Sequence, residues 1–486
     1  MLTTPQSSSA PTRAALDFKW PAEGIARAPY RLFTDPEIYK LEQERIFRGR
    51  AWNFLCLDVE VPKAGDYRTT TIGETPVIVT RDHDGKVHAM VNRCAHKGAL
   101  VCLKKQDNVA SLTCVYHAWN YGLDGQLKGV AFRNGLRGQG GMPSDFDVAK
   151  HRLQPIRTES FCGMIFGTFS EKVEDVETYL GSDMAQFIKR NLDRPLRVLG
   201  THSQMIHNNW KLYAENLRDS YHATLLHTFY TTFKVNRLDM DGGIILSEKK
   251  WHHLSFARRA KLQEAAEYAD AKVHSANYES ALEGPELLQA WEEFDDGITH
   301  SIQTVFPNMC IQFTLNSLAI RFFAPKGVDK TELFWIYLGY DRDTEEQSQM
   351  RIMQSNLTGA AGLVSLEDGC INEFVQRGTR NDPECASFME MGGRLAESEK
   401  NSRATETAVR GFIAWQQRFH IKIDGEQVPD SIVVFRAIQP MDCANSSGIG
   451  VGRPRAIDFT LQRGRHGTVG LSIGPRISGR RRRTGP

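Results

Sequence analysis

Residues 94–117 read CAHKGALVCLKKQDNVASLTCVYH. The chemistry-bearing side chains are Cys94 and His96, then Cys114 and His117, with seventeen residues between the two pairs. Each pair lies between short apolar, β-prone runs, so each is expected in a tight turn. Two such turns, each offering one thiolate and one imidazole, can close from both sides on a small metal centre. Cys102 lies between the pairs, is off this pattern, and reads as a core thiol.

Two kinds of centre suit this donor set. Zinc needs its four ligands around one ion. A Rieske cluster gives two Cys to one iron and two His to the other. Each turn then supplies one ligand to each iron, which is what a C-x-H and a C-x-x-H pair offer. Zinc fingers usually pair Cys with Cys and His with His along the chain, so the crossed order favours the Rieske cluster. Imidazole ligands raise the reduction potential over all-Cys clusters, which suits accepting electrons and passing them on.

Around this stretch, residues 49–170 carry short β-rich runs (YRTTTIG, PVIVTRD, KVHAMVN, GMIFGTF) separated by turn signals such as Asp84-Gly85 and Asp124-Gly125. They predict a small, mostly antiparallel all-β domain. Before it, residues 1–48 read as a loose Ser/Thr/Pro/Ala-rich arm and an amphipathic helix over 35–48, capped by Asp35 with Pro36 at its first position, packing on the domain of residues 171–423. Residues 171–423 mix helical and strand patterns. Helices are expected over 209–228, 344–358 and 403–418, and strands over 245–258, 299–324 and 332–340. The fold class is therefore α+β: an all-β iron–sulfur domain, then an α+β domain with a long antiparallel sheet packed by helices.

A second constellation lies at 209–227, NWKLYAENLRDSYHATLLH. Asp219 and His222 are three apart and share a helix face. His222 and His227 are five apart, about 140° on an ideal helix, so they converge only if the helix ends or bulges between them. Two His and one carboxylate on one face of a metal suit non-haem iron(II) oxygenases. The carboxylate must come from elsewhere. Asp368 in LEDGCINEF is the choice, before Gly369 where a turn can aim a short side chain, and Glu367 is its rival.

Composition sets the limits. The chain has 486 residues, 41% hydrophobic and 24% charged, with nine Cys and a formal charge of +2. That suits a globular protein of two to four domains and excludes wholesale disorder. An odd, sparse Cys count suits a reducing compartment, so the protein reads as cytoplasmic. No run of about 18 apolar residues suggests a membrane span. Residues 453–486 carry nine Arg against one Asp, so the rest of the chain nets −6 and offers no broad nucleic-acid surface. Residues 424–486 read as a disordered basic tail.

With both constellations in hand, the chain resembles the large, α subunit of the Rieske non-haem iron aromatic-ring-hydroxylating dioxygenases over roughly residues 28–422. The motifs are CAH…CVYH and NWKLYAENLRDSYHATLLH. GDYRTTTIGETPVIV, NSLAIRFFAP, EDGCINEFVQRG and EMGG…RATETAVRGF make it most similar to the branch acting on aromatic acids: terephthalate, anthranilate, ortho-halobenzoate and salicylate. The resemblance implies that Cys94, His96, Cys114 and His117 hold a 2Fe-2S cluster and that His222, His227 and Asp368 hold Fe(2+). It implies that Asp219 bridges His222 to His117 of a neighbouring subunit. Arg321, on an alternating strand, matches the carboxylate-binding Arg of this branch, and Arg403 matches a second one in terephthalate-type members.

The activity so implied is addition of O2 to an aromatic carboxylate, with NADH-derived electrons delivered by a separate reductase, with or without a ferredoxin. The implied assembly is a ring of three α subunits, with or without small β subunits. Two departures stand out: Lys97 follows the first His where Arg is common, and Cys370 follows the Asp-Gly step where an acid is common. Three other readings fit parts of the pattern: a salicylate-type ring monohydroxylase, a Rieske electron carrier without oxygen chemistry, and a zinc-binding interaction module.

Overall fold

The computed structural model describes residues 20–259, 268, 282–360, 362–421, 462–463 and 469–470. Residues Met1–Phe435 form one compact unit and Arg436–Pro486 another. The expected tail, 424–486, lies outside the described residues except for Gln462–Arg463 and Val469–Gly470, which pair as two short antiparallel strands. No described helix is long and apolar enough to cross a membrane.

The β-rich runs form strands β1 (Asn53–Leu57), β2 (Asp66–Ile72), β3 (Thr75–Arg81), β4 (Val87–Val91), β5 (Gln106–Asn108), β6 (Leu112–Thr113), β7 (Asn120–Tyr121), β8 (Leu127–Gly129), β9 (Pro155–Phe161) and β10 (Met164–Thr168). Seven make one sheet in the order β1-β10-β9-β4-β3-β2-β5, and β6, β7 and β8 make a small second one. Both Asp-Gly turns are present. Gly85 and Gly125 each take φ of +78°, the left-handed region that favours glycine.

The following region holds β11 (Leu196–Ile206), β12 (Gly242–Leu246), β13 (His253–Arg258), β14 (Ile298–Val305), β15 (Met309–Thr314), β16 (Ser317–Pro325) and β17 (Thr331–Tyr340). They make one seven-stranded antiparallel sheet in the order β11-β17-β16-β15-β14-β13-β12. The strands expected as single runs at 245–258 and 299–324 are two and three strands respectively. The turns between them admit antiparallel return, and β15 and β16 are buried throughout.

Helices pack on this sheet. Helix α1 (Pro36–Glu42) has Asp35 at its cap, accepting from the Glu37 and Ile38 amides, and continues as a π-turn to Phe47. It is anchored to α2 (Trp210–Asn216) by a fully buried pair, Glu42 Oε1 to Lys211 Nζ at 2.8 Å, with Trp210 Nε1 donating to Glu42 Oε2 at 2.9 Å. Removing one member would leave an uncompensated buried charge, a loss of about 3–5 kcal/mol. One apolar core runs from Trp52 and Phe54 of the first sheet to Phe322 and Trp335 of the second, so the two β regions share a core. A smaller core, with Cys102 in it, lies under the Cys/His turns.

Two helix expectations are corrected. The single helix over 209–228 ends at Asn216. Asp219 Oδ1 accepts from the Tyr221 and His222 amides at 2.9 and 3.3 Å, so a side chain takes over the backbone bonding a continued helix would need. A 3-10 turn (His222–Thr224) and α3 (Thr228–Thr232) follow. The helix expected over 403–418 spans Thr407–Ile421, leaving Arg403 in the loop before it.

Candidate metal centres and substrate pocket

The two Cys/His turns are built alike. In the first, the Cys94 amide donates to Ala99 O at 2.8 Å and the Gly98 amide returns to Cys94 O at 3.0 Å. In the second, the Cys114 amide donates to Trp119 O at 2.9 Å and the Ala118 amide returns to Cys114 O at 3.0 Å. Each closes on a left-handed residue, Gly98 (φ +77°) and Ala118 (φ +52°). Cys94 and Cys114 are buried and make no disulfide, whereas His96 and His117 are exposed. The two imidazoles are 4.6 Å apart by centroid, and His96 stacks on Trp119 at 4.9 Å.

Sequence reasoning passed over Tyr121. Its hydroxyl oxygen accepts from the Ala95 amide at 3.1 Å, leaving its proton for Cys94 Sγ at 3.2 Å. A thiolate-facing donor is a known lever on cluster potential. With sulfurs inside and imidazoles outside, the quartet fits a two-iron cluster with an inner and an outer iron. Leu100, Leu103, Val115 and Tyr116 are exposed apolar side chains of this region, and the Tyr116 ring packs on His117 at 3.8 Å between centroids.

The second centre gathers residues from two segments. His222, His227 and Asp368 each present a donor atom within 4.8 Å of the others. Asp368 Oδ1 lies 3.5 Å from His222 Nε2 and 3.2 Å from His227 Nε2. Each histidine turns its other nitrogen to its own carboxylate: His222 Nδ1 is 3.2 Å from Asp219 Oδ2, and His227 Nδ1 is 2.7 Å from Glu367 Oε2. Such partners fix ring orientation and leave Nε2 free for a metal. The break in the expected helix is what brings the two imidazoles together. Asp368 sits in the first turn of α4 (Ser365–Thr379), not in the turn expected from Gly369. Its oxygen, not that of Glu367, stands at the point of convergence.

The electrostatics fit a cation. Burial opposes charge on His222, but Asp219 and Asp368 outweigh it and pull the imidazole up to about 10. Burial also opposes ionisation of Asp368, and the two imidazoles overcome it, holding the carboxyl far below its ordinary range.

The same cavity is lined by Arg321 and Arg403. Both are buried, and neither has a carboxylate within ion-pair distance among the described residues. Arg321 Nη1 donates to Tyr213 Oη at 3.0 Å and Nη2 to Gln312 Oε1. Arg403 Nη1 donates to Asn236 Oδ1 at 2.6 Å and Nη2 to Arg237 O. In both, Nε has no hydrogen-bond partner among the described residues. Burial pulls the Arg403 guanidinium down to about 10, whereas Tyr213, Cys310 and Asp368 together hold Arg321 above its ordinary value against burial.

Comparisons with known proteins agree with this layout. Residues 51–138 match the Rieske [2Fe-2S] domain, and residues 190–420 match the ring hydroxylating alpha subunit catalytic domain. The chain is 46% identical to the terephthalate 1,2-dioxygenase terminal oxygenase component subunit alpha 2 of Comamonas sp., over 81% of this chain and 95% of that one. It is 41% identical to the anthranilate 1,2-dioxygenase large subunit of Burkholderia cepacia (83% and 96%), and 36% to the salicylate 5-hydroxylase large oxygenase component of Ralstonia sp. (82% and 95%). The fold matches naphthalene 1,2-dioxygenase from Rhodococcus sp. with a TM-score of 0.68 at 24% identity, covering 82% of this chain and 95% of that one.

Proposed function

The chain belongs to the ring-hydroxylating oxygenase α-subunit family, with a Rieske [2Fe-2S] domain and a non-haem iron catalytic domain, and we propose that it is the terminal oxygenase for an aromatic acid bearing a second anionic group. The observation that carries this reading is the pair of buried guanidiniums, each with an unpartnered Nε, in the cavity that also holds His222, His227 and Asp368. A buried charge without a counter-ion costs several kcal/mol, and two substrate carboxylates would supply the missing partners.

Cys94, His96, Cys114 and His117 are assigned to the cluster, and His222, His227 and Asp368 to the iron. When bound, these groups supply electron transfer and dioxygen activation. The protein's own part is positional. Asp219 and Glu367 hold the two imidazoles by Nδ1. Arg321 and Arg403 orient the ring by its ends, so that one edge faces the metal side of the cavity. The reaction takes one arene, one O2, two electrons and two protons to a cis-dihydrodiol. NADH supplies both electrons and one proton through a separate reductase, and solvent supplies the other proton.

We assign Asp219, half-buried at the cavity wall, as the bridge to His117 of a neighbouring α subunit in a trimeric ring, with small β subunits as further partners in the cytoplasm. The 36% identity to a salicylate 5-hydroxylase component favours a monohydroxylase as the second reading.

The test is turnover of a panel of benzoates, anthranilate, halobenzoates, salicylate and phthalate isomers under isotopically labelled dioxygen. The expected result is best turnover of a diacid, with both labelled atoms in one product. A single labelled hydroxyl supports the second reading, and turnover indifferent to the carboxylates refutes the arginine assignment. Arg321→Ala is expected to weaken a diacid roughly 30-fold or more and a neutral ring analogue far less.

A further inference from the structure

Across β14, β15 and β16 the sheet face toward the cavity carries a file of polar side chains. His300 on β14 lies opposite Thr314 on β15, and Arg321 on β16 lies opposite Cys310. Residues 310, 312 and 314 alternate onto one face, so Gln312 stands between the two pairs.

From Arg321 to Thr314 the hydrogen bonds along this file have a fixed direction. Arg321 has only donors, so Nη2 must meet the Gln312 oxygen, and the Gln312 amide group is turned to Thr314. Gln312 Nε2 donates to Thr314 Oγ1 at 3.2 Å. The Thr314 hydroxyl faces His300 Nδ1 at 3.0 Å, and its proton completes the file when it points to that nitrogen. An imidazole that accepts at Nδ1 carries its proton on Nε2. Burial, with the Arg403 and Arg321 guanidiniums nearby, pushes the His300 imidazole down to about 3, so the ring is neutral. Tyr230 packs edge-on against it at 5.6 Å and limits its tilt. His300 lines the same cavity as both arginines and the metal-facing residues.

We propose that His300 is a specificity-determining residue that donates a hydrogen bond from Nε2 to a carboxylate oxygen of the bound aromatic acid, and that the Arg321–Gln312–Thr314 relay holds it in the tautomer that can do so. This rests on the aromatic-acid reading above. A neutral donor adds directionality without adding a third positive charge, so two guanidiniums still balance two carboxylates. The relay also makes Arg321 act twice: its charge attracts the acid, and its hydrogen bond to Gln312 sets the donor two strands away.

The test uses the metal-loaded oxygenase with its reductase and compares an aromatic diacid with a neutral ring analogue. Thr314→Val removes the hydroxyl at nearly constant shape and is expected to raise KM for the diacid about 10-fold, with a smaller change in kcat and little change for the neutral analogue. Thr314→Ser restores the hydroxyl and is expected to restore the KM. His300→Gln keeps an amide donor at similar reach and is expected to lose less than His300→Leu. An unchanged Rieske spectrum and melting temperature in each variant guard against misfolding. Equal KM for Thr314→Val and wild type, or equal losses for diacid and neutral analogue, overturn the proposal. A wild-type enzyme that binds no aromatic acid overturns the aromatic-acid reading as well.

Discussion

At the Cys/His turns the sulfurs are buried and the imidazoles stand in solvent. At the second centre His227 and Asp368 are buried, and carboxylates face both imidazoles from behind. The difference follows from what each centre must meet. A relay has to touch a partner, so its two imidazoles are exposed. A site that handles dioxygen has to keep water out, so its ligands are enclosed and oriented by hydrogen bonds. The same contrast appears in chain distance: the first centre lies within residues 94–117, whereas His227 and Glu367 of the second are 140 residues apart.

The largest expected effects test whether the two centres are independent in construction. His222→Ala is expected to abolish turnover and mononuclear iron while leaving the cluster's visible spectrum intact. Cys94→Ser is expected to abolish the spectrum while leaving the iron in place. Metal and acid-labile sulfide analysis of both variants checks this, and loss of both metals in either one would break the comparison.

Next is the connection between them. Asp219→Ala removes neither set of proposed ligands, so both metals are expected to remain while steady-state turnover falls by about 100-fold or more. Stopped-flow reoxidation of the cluster in the presence of substrate reads the loss directly. Undiminished reoxidation would remove Asp219 from the electron path.

The smallest effect concerns stability at α2. Burial raises the Glu215 carboxyl to about 8. Its folded value lies above the unfolded one, so the folded chain keeps a proton that the unfolded chain releases. Stability is therefore lost as pH rises from about 4 towards 8. Glu215→Gln is expected to stabilise the fold more at about pH 8 than at about pH 5, by up to ~4 kcal/mol, read as a larger rise in melting temperature at the higher pH. An equal gain at both pH values would show that burial does not set this group's ionisation.

How much was legible in the sequence follows the same division. The first centre could be read from spacing because its ligands sit in two local turns whose hydrogen bonds close within six residues. The pairing of His222 and His227 was legible only as a condition that the helix must break. The agent of the break, Asp219 capping the next turn, is a side-chain bond that periodicity does not report. Asp368 was preferred to Glu367 for a turn that is a helix in the structure, and its Oδ1 is the carboxylate oxygen that lies between the two imidazoles. Helical geometry sends Glu367 to His227 Nδ1 and Asp368 to the convergence point. Tyr121 and His300 carried no local signal at all, because the atoms they meet come from distant segments, Cys94 and Ala95 for Tyr121 and Thr314 for His300.

The central claim, that one chain couples a Rieske relay to an iron site built for aromatic acids, is tested most directly by a single turnover. The metal-loaded oxygenase is reduced chemically, freed of reductant, and mixed with labelled dioxygen and an aromatic diacid without its reductase. The account predicts that the cluster reoxidises in step with formation of a diol carrying both labelled atoms. Fully loaded protein whose cluster reoxidises while the diacid is returned unchanged would contradict it.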